Sequence, residues 1–141
     1  MIRKFDYTKT HASDCAGDCR KADQSYEIKV SLGGKTHRKF NYVQLRVCHP
    51  VDVYLLTAYY LTHDNVDQEG ELFVFRIGHD DLRPLIAQYG SYAHGTKNVH
   101  GPITLDSVSC EGNTKEYALR PTYGDACWRA LLPYRIGEEE L

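Results

Sequence analysis

The chain has 141 residues, 42% hydrophobic and 26% charged, which is one globular domain and excludes disordered and fibrous classes. A formal net charge of −2 excludes a histone-like, generally basic nucleic-acid binder, though not a local basic stripe. The longest apolar run, residues 54–61, falls far short of the ~20 residues of a membrane-spanning helix. The start Met1-Ile2-Arg3-Lys4 lacks an apolar signal core, and five cysteines are an odd number, so reduced thiols in a cytoplasmic, non-membrane protein are expected.

Residues 24–31 alternate, are β-rich and run into Gly33-Gly34, which predicts a strand. Residues 51–61 carry Val, Tyr, Leu and Thr almost continuously, as in a strand buried on both faces. Residues 71–77 form a third strand, joined to the second as a hairpin through the acidic turn at 64–70. The period then changes: Leu82, Leu85, Ile86 and Tyr89 predict a helix, with Asp80 and Asp81 at its front, Pro84 in its first turn and Gly90 behind. Residues 102–108 and 114–119 read as a second strand pair around Glu111-Gly112-Asn113. Residues 125–132 read as a short helix stopped by Pro133. Strands and helices in this order predict an α/β fold with a mixed sheet flanked by helices, in one domain spanning 1–141.

The residues that carry chemistry lie between Asp18 and Arg46. Glu27 and Lys29 are two apart on a strand and project from one face. Two carboxylates can hold a divalent cation that polarises a phosphate, with the lysine stabilising charge that develops on it. Hard oxygen ligands select magnesium, with manganese as its substitute, over zinc. A hairpin turn at Lys21-Ala22-Asp23-Gln24 sets Asp18 across from Glu27, whereas a wider turn near Arg20 brings Asp14 there instead. The tighter hairpin is commoner and Gly17 allows close backbone approach, which favours Asp18. By itself Glu-x-Lys is weak, since roughly every second chain of this length holds one by chance, and a cross-strand ion pair is its bland explanation. Cys15, Cys19, Cys48 and His49 form only a poor version of a zinc pattern.

An acid, then Glu27-Ile28-Lys29 on the next strand, then Ser31, resembles the PD-(D/E)XK nuclease superfamily, in particular its type II restriction endonucleases. Residues 40–46 are similar to the segment that follows the active-site strand in those enzymes, where a glutamine at a helix start lies beside the metal; by resemblance that residue is Gln44. The resemblance implies a restriction-endonuclease-like fold, here with an abbreviated N-terminal part because only 17 residues precede Asp18. It implies Asp18, Glu27, Lys29 and Gln44 as catalytic residues. Asp18 (or Asp14) and Glu27 then hold Mg²⁺, and Mn²⁺ in its place. The implied function is hydrolysis of double-stranded DNA, by a homodimer because one site cuts one strand. A homing or repair endonuclease of the same fold, and a non-catalytic DNA-binding or interaction domain, are the alternatives. Lys35, Arg38, Lys39 and Arg46 concentrate positive charge after the strand, and His94 and Lys97 lie in a second polar loop; all six are candidate DNA contacts.

Overall fold

The computed structural model describes residues 8–9, 17–34, 36–61 and 70–140. In chain order come β1 (Thr8–Lys9), β2 (Cys19–Lys21), β3 (Gln24–Gly34), β4 (Tyr42–Leu45), β5 (Val53–Leu61) and β6 (Glu71–Gly78). They are followed by α1 (His79–Tyr89), β7 (Ser91–Tyr92), α2 (Lys97–His100), α3 (Leu105–Val108), β8 (Tyr117–Leu119), α4 (Ala126–Leu131) and β9 (Arg135–Ile136). The fold is mixed α/β. A six-stranded sheet runs β1-β2-β3-β5-β6-β9 and a three-stranded sheet runs β4-β8-β7. Neighbours in the large sheet are antiparallel except β3 and β5, which are parallel. Among the described residues no helix is long and apolar enough to cross a membrane.

The first hairpin is tight. Lys21 pairs with Gln24 and Cys19 with Tyr26, with Ala22 and Asp23 at φ 49° and 66° between them. Two central residues at positive φ match the right-handed twist of the flanking strands. Along β3 the side chains then divide by parity. Tyr26 and Ile28 pack with Cys19, Val53, Leu55 and Val74 on one face. Glu27, Lys29 and Ser31 share the other face with Tyr54, Leu56 and Ala58, the residues they adjoin on β5. Those three β5 residues belong to the main core, closed by α1, α3, α4 and the small sheet around Trp128, which meets Phe40, Phe73 and Phe75 at ring distances of 5.2, 4.8 and 5.3 Å. Gly33 lets Phe40 into that core: a Cβ there would lie 2.7 Å from the Phe40 ring.

The strands expected at 24–31, 51–61 and 71–77 are present, the last two paired as a hairpin with Tyr60 opposite Glu71. Their connecting turn lies mostly outside the described residues. The helix expected from Leu82 to Tyr89 begins earlier, at His79, so Pro84 is its sixth residue and not in its first turn. There it deprives the Asp80 carbonyl of its usual donor.

Two other expectations are corrected. Residues 105–108 are helical, not a strand, because Thr104 and Ser107 form a reciprocal cap: Ser107 N donates to Thr104 Oγ1 at 3.1 Å and Thr104 N to Ser107 Oγ at 2.8 Å. β8 consequently pairs with β4 and β7. Gln44 does not start a helix: it sits in β4, at φ 55° beside an irregularity in the β4–β8 register. That irregularity turns Tyr42 and Leu45, three apart, both inward, and strand-prone Tyr42-Val43 then pairs with β8 instead of coiling. The crossover from β3 to β5 therefore passes through a strand of the second sheet.

Candidate active site

The hairpin brings Asp18 against β3. The β2–β3 register ends at Cys19 opposite Tyr26, and Asp18, one residue before it, donates its N–H to Tyr26 O at 2.7 Å. The Asp18 carboxylate accepts the N–H of Ile28 at 2.8 Å, so it grips β3 between Glu27 and Lys29. Gly17 makes this approach possible. Its φ is 102°, and a Cβ there would stand 2.5 Å from Tyr26 O. Glu27 Oε1 lies 3.3 Å from Lys29 Nζ, both side chains about four-fifths buried (21% and 20% exposed). Both acids also act on one thiol: burial first, then the charges of Asp18 and Glu27, push Cys19 up to about 11. Cys19 is thus a protonated core residue and no nucleophile. Asp14, the alternative acid, lies outside the described residues.

The small sheet adds a group that the sequence did not single out. Glu116 stands just before β8, its backbone carbonyl held by Ala93 N at 2.9 Å. Arg46 Nε and Nη2 both donate to Glu116 Oε1, at 3.0 and 2.8 Å. His94 Nε2 lies 3.5 Å from Oε2. The Arg46 hydrogen bonds, followed by the charges of Arg46, His94 and Lys29, hold the Glu116 carboxyl below the ordinary 4.5 against the opposing effect of burial. Lys29 therefore feels a carboxylate on each side, Glu27 on its own strand and Glu116 from the second sheet. No local pattern marks Glu116; an isolated acid before a three-residue strand looks like any surface glutamate.

Two of the expected DNA contacts thus sit at this cluster, since Arg46 is ion-paired with Glu116 and His94 stands beside its second oxygen. Arg38 is exposed and fastened to the loop before α4, donating to Tyr123 O at 3.1 Å with its guanidinium 5.7 Å over the Tyr123 ring. Lys39 bridges to Thr122 with its side chain exposed, and Lys97 is exposed on α2. Lys35 lies outside the described residues. Ser31 Oγ accepts Asn41 N at 2.9 Å, a tether that folds the segment after β3 back onto it. Gln44 is exposed on β4.

Among the described residues no three His, Cys, Asp or Glu side chains converge as a metal cage, and Cys19, Cys48, Cys110 and Cys127 are free thiols. Two carboxylates nonetheless suit Mg²⁺, which keeps several waters and takes one or two protein carboxylates plus substrate phosphate. The donor set of Asp18 and Glu27, both hard oxygens, fits that ion and not a thiophilic one. Compared with known proteins, the chain matches no family model and no curated sequence.

Proposed function

We propose that this chain is a magnesium-dependent DNA endonuclease of the type II restriction class, built on a restriction-endonuclease-like fold. One observation supports the reading: the Asp18 carboxylate accepts the N–H of Ile28 at 2.8 Å, between Glu27 and Lys29, whose side chains meet at 3.3 Å. Asp18 and Glu27 would hold the ion, and manganese would replace it. When bound, the ion polarises a phosphoryl oxygen and lowers the pKa of a water. Lys29, aimed by its contact with Glu27, meets the charge that develops on the phosphate. Water adds to phosphorus and one P–O bond of the strand breaks. Glu116 takes up the charge of Arg46, while Lys29 meets Glu27 at 3.3 Å.

Double-stranded DNA would lie against Arg38, Lys39 and Lys97, whose exposed charges suit phosphate. Cutting both strands requires two sites, so a two-fold homodimer on a near-palindromic target is part of the proposal. Incubation of the protein with supercoiled plasmid and phage DNA, with magnesium, manganese or chelator, tests the reading. Metal-dependent nicking or linearisation is expected. Retention of DNA without any cleavage in either metal would overturn it in favour of a non-catalytic DNA-binding domain.

A further inference from the structure

At the end of the large sheet where β3 and β5 begin, the turn after β4 and the first turns of α1 enclose a cleft of about 570 Å³. That volume falls within the ~300–1,000 Å³ of small-molecule sites. Tyr54 links the cleft to the acid–lysine pair. It adjoins Glu27 in the β3–β5 register, its ring stacks toward the His79 ring at 6.3 Å, and its phenol donates to Arg46 O at 3.1 Å. Burial first, and then the charge of Glu27, push that phenol above its ordinary value.

Two side chains in the cleft wall are poorly satisfied. His79 Nδ1 and Arg83 Nε are buried and find no hydrogen-bond partner among the described residues. Arg83 Nη2 donates to Val47 O across a long 3.5 Å. Buried polar atoms without a partner are rare in folded proteins, so two in one wall mark side chains whose hydrogen-bonding capacity is not used up inside the protein. Both side chains line the cleft.

The chemistry of the wall narrows the ligand. Asp52 is already committed to Ser25, whose N and Oγ lie 2.8 and 3.2 Å from its Oδ2, which holds the Asp52 carboxyl below its ordinary value. Asp80 and Asp81 line the cleft as well and repel a phosphate. Among the described residues no metal-ligating group of three is present. A neutral planar heterocycle with acceptors and donors along its edge satisfies Arg83 and His79 and meets Asp81. Side chains in a recess cannot reach a base inside a duplex, so such a base must leave the stack.

We propose that this cleft takes one nucleobase of the DNA strand being cut, turned out of the stack, with Arg83 and His79 hydrogen-bonding its edge. The inference rests on the endonuclease reading above. Cys48, exposed at the cleft, supplies a direct probe, and Cys110, exposed and not among the lining residues, is its internal control. The full chain is incubated with each of the four deoxynucleosides, treated with iodoacetamide, and labelling at the two cysteines is read by mass spectrometry. At least one nucleoside should slow Cys48 labelling, about threefold when present at twice its Kd, and leave Cys110 unchanged. Arg83→Met, or Arg83→Lys should the first not fold, should remove the protection and change which DNA sequences are cut. Indifference of Cys48 to all four nucleosides in a protein that cleaves DNA would overturn the base site alone. Protection of Cys48 in a protein that cleaves no DNA would keep the base site and remove the endonuclease reading beneath it.

Discussion

The two sheets contribute to the candidate site in opposite ways. The large sheet delivers Asp18, Glu27 and Lys29 from one continuous hairpin, where a single register decides which side chains meet. The small sheet delivers Arg46, His94 and Glu116 from three segments spread over 70 residues of chain, held by short strands of two to four residues. The first set is a local consequence of turn geometry. The second exists only once the core has closed. The difference separates the groups proposed to do chemistry from those that set the charge around them, and five substitutions probe it.

The largest effects belong to the hairpin. Glu27→Gln and Lys29→Met should each lower magnesium-dependent cleavage by about 10²–10³-fold, with thermal stability and DNA affinity close to wild type. Gly17→Ala comes next, because it strikes the hairpin's geometry and not its charges. The new Cβ meets Tyr26 O at 2.5 Å on a residue held at φ 102°. A loss of about 1–3 kcal/mol in chemical denaturation should accompany a loss of cleavage, since Asp18 is displaced with the backbone. Preserved cleavage in that variant would break the link between turn geometry and site.

Glu116→Gln should have a smaller effect, about tenfold on cleavage, because it acts on Lys29 through its surroundings. Its clearest sign is in pH. The folded-state pKa of Glu116 is depressed, so its contribution to stability is complete above the ordinary 4.5 and is lost as pH falls through the lowered value. The melting temperature of wild type should thus drop more steeply below that pH than that of Glu116→Gln, and parallel curves would deny the small sheet its part in the site. The smallest change is Ala22→Gly. Ala22 holds φ 49° in the hairpin turn, and relief of that conformation should stabilise the protein by a few tenths to ~1 kcal/mol in denaturant unfolding, with cleavage unaltered.

The same contrast explains what was legible in the sequence. Period-2 alternation, a short turn and a glycine were enough to anticipate β3, the tight hairpin before it and the β5–β6 hairpin, because each depends on neighbours in the chain. The helix at Leu82–Tyr89 was legible from its apolar spacing, but its start was not, since Gly78 caps it without a side-chain hydrogen bond. α3 was misread as a strand. Ile103 and Val108 are both buried yet five apart, a spacing that no strand face allows, and the Thr104–Ser107 cap was the decisive local signal. Gln44 was misplaced because the inward turn of Tyr42 and Leu45 depends on β8, more than 70 residues away. Glu116 had no signal at all: its meaning comes from Arg46 and Lys29, neither of which is near it in sequence.

The central claim is that Asp18, Glu27 and Lys29 act together on a phosphodiester. Its most direct test is the rate at which wild type and Glu27→Gln convert supercoiled plasmid to nicked and linear forms in magnesium, at protein concentrations giving equal DNA occupancy. The account predicts cleavage by wild type that chelator abolishes and a loss of at least about a hundredfold in Glu27→Gln. Equal rates for the two proteins would contradict it.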